Sequence, residues 1–502
     1  MNSRLAAHRD SIQPQPVTDV SRPMPLPKHK TKIVATIGPA SRSPRILQSL
    51  IEAGLNAARL NFSHGDFNGH REVIHELRDA ARRAGREIAI LADLPGPKMR
   101  IGRLPVEPIE LKPGDTFTLT STPDVSEPAR VSVTFSRLAQ VVHPGAQLYL
   151  NDGMILLEVT AIRGDDVECR IVIGGELRSR KGLNLPGLHL GMSAFTERDR
   201  ECLRFALEHG VDAVSQSFVE SAADVHAVRE AAGALGHHPF LFAKIERAGA
   251  IAEIDPILEA ADGIMIARGD LGVEVPIERI AVLQKQLMKK AVRAGKPVIT
   301  ATQMLESMTL SRQPTRAEVT DVANAILDGT DCVMLSAESA MGRYPVEAVE
   351  TLARIAAATE PHRSPTNPWE TLMSRIPGRN YSMTDHIAVG IEAMLRLSTP
   401  AAVCVPTRSG ATARSITRSR LPVWIAAITA DLAVSRSLHF SYGVIPMLET
   451  DDLQDWSAFI RRWTHDHGLP GRAAILVQGP SKINQTANHQ IQLVALDSSA
   501  TP

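Results

Sequence analysis

The stretch FLFAKIERAGAIAEIDPILEAADGIMIARGDLGVEVPIERIAVLQKQLMKKAVRAGKPVITATQ (240–303) decides the fold. Three short apolar runs, Phe240–Glu246, Asp262–Arg268 and Pro297–Gln303, alternate in it with segments of helical texture. Each run is too short for a typical helix and rich enough in Val, Ile and Leu to be a strand buried on both faces. Residues 276–294 repeat Ile277, Ile280, Leu283, Leu287 and Ala291 at helical spacing. Pro276 stands near the first helical position, and Gly295 with Pro297 stops the helix.

The same unit recurs outward in both directions. Lys32–Ile37, Ala57–Phe62, Glu87–Asp93, Asp212–Phe218 and Cys332–Glu338 complete a set of eight strand–helix units. Eight is the count for a closed parallel (β/α)8 barrel, the TIM-barrel architecture. The spacing breaks once, between Asp93 and Asp212, where about 120 residues alternate apolar and polar positions. Thr116–Thr120, Arg130–Phe135, Gln147–Leu150, Met154–Thr160 and Val167–Ile173 read there as strands, punctuated by Pro-Gly, Asn-Asp-Gly and Gly-Gly turns. An antiparallel β-barrel inserted at that point sits on the catalytic face, placed to act as a lid. After the eighth strand, residues 365–382 read as a linker or irregular helix. Ala401–Pro406, Val423–Thr429, Val444–Leu448 and Ala473–Gln478 then give a separate α/β domain. The expected division is a flexible arm (1–29), barrel (30–96 and 191–362), inserted β domain (97–190) and C-terminal α/β regulatory domain (363–502).

Composition narrows the function. Lys plus Arg and Asp plus Glu balance at 55 each, which argues against a nucleic-acid or membrane-surface partner. Cys169, Cys202, Cys332 and Cys404 form no C-x-x-C pair, offer no zinc site and suit a reducing cytoplasmic compartment. No apolar run approaches the roughly 18 residues of a membrane span. Residues 1–29 carry five prolines and no apolar core of a secretory signal.

In a (β/α)8 barrel, polar residues at the carboxyl ends of the strands face the active site. Here those ends carry Arg59, Asn61, Ser63 and His64, then Asp93 with Arg100 in the following loop. Lys244 and Glu246, Arg268 and Asp270, Thr300 and Thr302, and Ser336 and Glu338 follow. Strand alternation turns Lys244 and Glu246 to one side. Glu246 and Asp270 are hard oxygen ligands suited to Mg²⁺ (or Mn²⁺) with several waters retained. Arginines and a lysine around them predict an anionic substrate, with phosphate the natural fit. Singly, a Lys-x-Glu is usually a solvated pair and an Arg-Gly-Asp a common turn; their placement at successive strand ends sets them apart.

The segments KTKIVATIGPASRS (30–43), ARLNFSHG (58–65), FAKIE (242–246), IARGD (266–270), ITATQMLESM (299–308) and VMLSAESAMGRYP (333–345) closely resemble the pyruvate kinases. The resemblance is dense through the barrel and thinner after residue 365. It implies transfer of the phosphoryl group of phosphoenolpyruvate to ADP, giving pyruvate and ATP. It further implies that Glu246 and Asp270 hold Mg²⁺ and that Lys244 neutralises the phosphoryl group in flight. Ala267, Arg268, Gly269 and Asp270, with Ser217 and Thr302, would bind the substrate, Gly269 permitting close backbone approach. Thr302 would help protonate the enolate through water and Ser336. Arg59 and Arg100 would contact phosphate, and His64 and Lys181 would reach the nucleotide, which brings a second Mg²⁺. A homotetramer is the family's assembly.

One departure from the family pattern is informative. Many members read Asp-Thr-Lys-Gly-Pro-Glu where this chain reads Asp93-Leu94-Pro95-Gly96-Pro97-Lys98. Those members need K⁺, bound near positions matching Asn61, Ser63, Asp93 and Leu94. The Lys98 ammonium can supply that charge, so the chain resembles the K⁺-independent branch and activity without K⁺ is expected. In the C-terminal domain Thr407, Ser409, Gly410 and Thr412 lie in a loop between a strand and a helix. They resemble the place where sugar-phosphate or nucleotide effectors bind in regulated relatives. Two other readings compete: a Mg²⁺-dependent 2-oxo acid lyase or aldolase on the same barrel, and a degenerate homologue kept for effector sensing. The first would need neither Lys181 nor Lys244; the second predicts a lost metal ligand or transfer lysine, and none is lost.

Overall fold

Every residue of Lys32–Thr36, Ala89–Leu94, Phe240–Ile245 and Gly263–Ala267 is buried. Strands buried on both faces need cover inside and out, and a parallel sheet closed on itself within a ring of helices supplies both. In the computed structural model, which describes residues 26–188, 190–363, 382–449, 455–479 and 488–496, that closure is complete. The eight strands are Lys32–Thr36, Ala57–Asn61, Ala89–Leu94, Ala213–Gln216, Phe240–Ile245, Gly263–Ala267, Val298–Ala301 and Cys332–Leu335. Each pairs in parallel with its sequence neighbour, and the first with the eighth, as the eight apolar runs predict.

The interior is apolar below and charged above. Ala57, Leu91, Ala213 and Phe242 share a buried cluster inside the barrel. Two residues further along the same strands, on the same face, stand Arg59, Asp93, Ser215 and Lys244. The lower end is closed by the C-terminal domain, whose fully buried Phe440 packs its ring 5.0 Å from that of Phe242 and 6.3 Å from that of Phe240. Around this plug, Arg420 donates to both oxygens of Asp331 (2.6 and 2.7 Å), the residue before the eighth strand. Lys32 Nζ donates to the Val444 carbonyl at 2.6 Å.

The inserted segment has its own core, including Phe117, Leu148, Leu157 and Val167. Its strands form a seven-stranded sheet and a separate two-stranded ribbon, Ile109–Leu111 with Gly175–Leu177. Hydrogen bonding leaves the larger sheet open. Thr116–Thr120 and Arg130–Ser132 pair in parallel within it, where the alternation predicts antiparallel neighbours throughout. A two-residue strand, Ser126–Glu127, lies outside Arg130–Ser132 and takes the antiparallel place.

The C-terminal sheet has five strands in the order Val444–Leu448, Trp424–Thr429, Ala402–Pro406, Ala473–Gln478 and Gln490–Ala495. The last is antiparallel and largely exposed, which explains why no apolar run betrays it. All but the last residue of 365–382, expected as a linker or irregular helix, and most of the 1–29 arm lie outside the described residues. The helix expected over 276–294 begins later: a 3-10 turn, Ile277–Arg279, precedes Ile280–Ala294 because Pro276 keeps an extended ψ of 130°. Gly295, at φ +70°, ends it as expected.

Phe440 packs on both Phe240 and Phe242 at the lower end. Phe440→Ala is expected to cost about 3–5 kcal/mol, measured as a lowered denaturant midpoint followed by the exposure of the barrel core.

Candidate active site

Asp93 is the hub of the upper barrel. Its carboxylate accepts from Arg59 Nε at 3.0 Å and Ser215 Oγ at 2.6 Å, and Lys244 Nζ lies at 3.4 Å. Burial works against the charge, but Lys244 and Arg59 outweigh it and hold the carboxyl down at about 2. Arg59 also donates to Thr36 Oγ1 at 2.8 Å, so its guanidinium is fixed on two sides. Lys244 Nζ donates to Ser217 Oγ at 2.7 Å and lies 2.8 Å from Glu246 Oε1. Burial opposes the ammonium charge too, yet Asp93 and Glu246 hold its pKa above the ordinary lysine value. Ser217 Oγ is itself anchored on the Leu94 carbonyl at 2.7 Å.

Glu246 is 1% exposed; its Oε2 accepts from the Phe218 amide at 2.8 Å. Its Oε1 has an ion-pair distance to Lys244 but no aligned hydrogen bond. Asp270 lies one turn into a short helix, Arg268–Glu274, that leaves the end of the sixth strand. Burial, and then the charge of Glu246, push its carboxyl up to about 7. A buried carboxylate pair of this kind fits a small hard cation, which would relieve their repulsion and satisfy Glu246 Oε1. Among the described residues no three His, Cys, Asp or Glu side chains form a metal cage.

Thr302 sits at φ +68°, a strained conformation for a β-branched residue. It is over-determined: its Oγ1 accepts from the Gly269 amide at 2.8 Å and donates to the Ala301 carbonyl at 2.7 Å. Arg268 Nη2 donates to the Thr302 carbonyl at 2.7 Å while Nη1 donates to Asp321 at 2.7 Å. The Arg268 side chain thus clamps the Thr302 loop. Glu338, fully buried, accepts from the amides of Ser336 and Leu305, tying the loops after the seventh and eighth strands. Thr300, by contrast, points to Thr330 at 3.0 Å, low in the barrel and away from the cleft.

Between barrel and lid lies a cleft of about 280 Å³, lined by His64, Lys98, Arg100, Asp152, Lys181 and Asp270 among others. His64 is pushed below its ordinary range by burial and by the cations Lys98, Arg100 and Arg59. Lys98 is lowered by burial and by Lys244, though Asp93 and Asp270 attract it. Arg100 Nη1 donates to the Arg180 carbonyl at 2.8 Å, which couples it to the segment bearing Lys181. Asn61 Oδ1 accepts from the Ser63 amide at 3.1 Å and shapes the loop leading to His64.

Sequence reasoning misses Thr36, Ser215, Asp152, Glu220, Arg247 and Glu274. Alternation along Ser215-Gln216-Ser217 could have found Ser215, since Ser217 shares its face. Asp152 reads only as part of an Asn-Asp-Gly turn, and nothing local signals that it lines the cleft. In the C-terminal domain, Gly410 takes φ +74° and its amide donates to Thr407 Oγ1 at 3.0 Å. The Ala411 amide donates to Ser409 Oγ at 3.4 Å, and Arg414 folds back onto the Ser409 carbonyl. Thr412 lies in the following short helix, Ala411–Thr417.

A fixed ammonium beside two carboxylates, under a lid that brings further cations, is the equipment of a barrel enzyme that transfers phosphoryl groups. Comparison with known proteins makes the class specific. Residues 28–349 match the family model "Pyruvate kinase, barrel domain", and residues 385–489 match "Pyruvate kinase, alpha/beta domain". The chain is 46% identical to a pyruvate kinase of Thermococcus litoralis over 86% of its own length and 91% of the relative's. It is 40% identical to the enzyme of Mycobacterium tuberculosis over 84% and 89%. The crystal structure of a pyruvate kinase from Cryptosporidium parvum superposes with a TM-score of 0.87 at 34% identity, covering 94% of this chain and 97% of that one. The chain belongs to the pyruvate kinase family and is a phosphotransferase. Among the described residues no helix is long and apolar enough to cross a membrane.

The Asp93 hub has a pH signature. A carboxyl lowered from 3.8 to about 2 adds stability that is complete above pH 4 and is lost as pH falls through 2. Asp93→Asn leaves Arg59 and Lys244 without their shared partner, and should lose about 3–5 kcal/mol at neutral pH. Its unfolding midpoint should also fall less steeply than the native chain's between pH 4 and 2.

Proposed function

We propose that the chain transfers the phosphoryl group of phosphoenolpyruvate to ADP at the upper end of its barrel, with Lys244 as the central cation. The observation that carries this is the Lys244 ammonium, held charged by Asp93 and Glu246 beside the carboxylate pair. Mg²⁺ (or Mn²⁺), when bound by Glu246 and Asp270, supplies neutralisation of the substrate's phosphate and carboxylate charge. Lys244 meets the phosphoryl group between donor and acceptor, and Ser217 and Asp93 keep Nζ from wandering. Arg59, fixed by Thr36 and Asp93, presents its remaining donor edge to phosphate. The amides at Ala267, Arg268 and Gly269 and the hydroxyl of Thr302 receive the substrate carboxylate. In that step the Gly269 amide exchanges Thr302 Oγ1 for the carboxylate, and the Thr302 hydroxyl turns its proton from the Ala301 carbonyl to the substrate.

Cleavage of the phosphate ester leaves an enolate whose carbon must take a proton. Thr302 and Ser336 are proposed to orient the water that delivers it. His64, Arg100 and Lys181 are assigned to the nucleotide, since all three line the cleft and Arg100 and Lys181 bring it positive charge. The Thr407, Ser409, Gly410 and Thr412 loop is assigned to a phosphate-bearing effector. By the family's precedent the working state is a cytoplasmic homotetramer.

Members of this family generally use Mg²⁺ and usually K⁺. Lys98, attracted by both Asp93 and Asp270, is proposed to take the monovalent cation's part near Asn61, Ser63, Asp93 and Leu94. A lactate dehydrogenase-coupled assay with phosphoenolpyruvate, ADP and Mg²⁺ tests both claims. Pyruvate should form in Na⁺ or Tris buffer with little stimulation by K⁺, and Lys98→Glu should make the rate depend on added K⁺. No pyruvate in any buffer contradicts the reaction; turnover only after K⁺ contradicts the role of Lys98.

A further inference from the structure

The lid joins the barrel by two limbs, and each is pinned. On the outgoing limb the Gly96 amide donates to Asp199 Oδ1 at 2.8 Å. On the returning limb Gly187 and Gly191 take φ of +70° and +62°, so chain freedom is concentrated on either side of Leu188. The Leu188 carbonyl accepts from Arg247 Nη2 at 2.9 Å. The same guanidinium lies 3.1 Å from Glu220 Oε1 and, through Nε, 3.4 Å from Glu274 Oε2. Its side chain is 5% exposed and that of Glu274 is 3% exposed. Glu274 also takes a hydrogen bond from the Ala248 amide and another from the backbone at Gly187.

The place of this cluster in the chain gives it meaning. Arg247 directly follows Glu246, and Glu274 stands four residues after Asp270 on one short helix, hence on the same face. Glu220 lies two residues after Phe218, whose amide orients Glu246. A single buried arginine therefore touches the chain neighbours of both metal-binding carboxylates and the hinge of the lid.

We propose that Arg247 is a positioning residue that registers the lid, and so its nucleotide-binding cations, to the carboxylate pair. It touches no substrate. It sets where Lys181, seven residues before Leu188, comes to rest over Asp270. This rests on the assignment of Lys181 to the nucleotide. Phosphoenolpyruvate is proposed to meet mainly the barrel's upper strand ends and not the lid, so loss of registration should fall on ADP.

The test uses the full chain, with steady-state kinetics and hydrogen–deuterium exchange on Arg247→Met, Arg247→Lys and Glu220→Gln. In Arg247→Met, KM for ADP should rise about tenfold while KM for phosphoenolpyruvate stays within about twofold. Amides of residues 183–188 should exchange about tenfold faster, with the barrel strands unchanged. Arg247→Lys, which keeps a donor for Leu188, should recover most of both effects. Unchanged exchange at 183–188 with an unchanged KM for ADP overturns the proposal. An equal rise in both KM values with faster exchange through the barrel strands also overturns it, because that marks a merely structural residue. Should Arg247→Met fail to fold, the half-buried Glu220→Gln decides: it should speed exchange at 183–188, and no change there contradicts the clamp. Lys181→Met separates the two claims. If it leaves KM for ADP unchanged, the nucleotide assignment fails, while the exchange result still judges Arg247.

Discussion

A lysine ammonium buried between two carboxylates is the interaction on which the upper barrel depends. Lys244 sits 2.8 Å from Glu246 and 3.4 Å from Asp93, almost out of contact with solvent. Each of these ions alone would be costly to bury; together they stay charged because each has a counter-ion and directed hydrogen bonds. Asp93 settles the balance, since Arg59, Ser215 and Lys244 all converge on it. Glu246 is left with one oxygen short of an aligned donor, and Asp270 with a carboxyl pushed up to about 7. The cluster is thus balanced on the lysine side and unbalanced at the carboxylate pair, which suits the metal proposed to bind there.

The barrel reconciles this polar top with a stable fold by separating the two along each strand. Phe242 packs below and Lys244 works above, two residues apart on one strand face; Leu91 and Asp93 repeat the arrangement. The lower layer is completed from outside, by Phe440 of the C-terminal domain and the Arg420–Asp331 pair. Since Asp331 immediately precedes the eighth strand, Cys332–Leu335, the C-terminal domain is tied directly to a strand that runs to the upper rim.

Much of this was legible in the sequence. Eight apolar runs predicted eight strands because a strand buried on both faces cannot hide its composition. The break in their spacing located the lid for the same reason. The strand-end charges, including Lys244, Glu246 and Asp93, followed from alternation once the barrel was recognised. What stayed hidden depends on contacts distant in sequence. Arg247 meets Leu188 from 59 residues away, and Ser215 meets Asp93 from 122 residues away. The edge strand Gln490–Ala495 escaped because exposure removes the apolar signal. The Arg268 side chain turns to Asp321 and the Thr302 loop, contacts that its place at a strand end does not reveal. This bears on the side chain and not on the backbone amide expected to meet substrate.

The proposed task of Lys244 is separable from metal binding, because Glu246 and Asp270 are proposed to hold the cation and the ammonium to stabilise the group in flight. The most direct test is Lys244→Met, followed by pyruvate formation and, in parallel, by Mn²⁺ binding through electron paramagnetic resonance. Phosphoryl transfer should fall by about a thousandfold or more while the carboxylate pair still binds Mn²⁺. A variant that turns over near the native rate would contradict the role of Lys244.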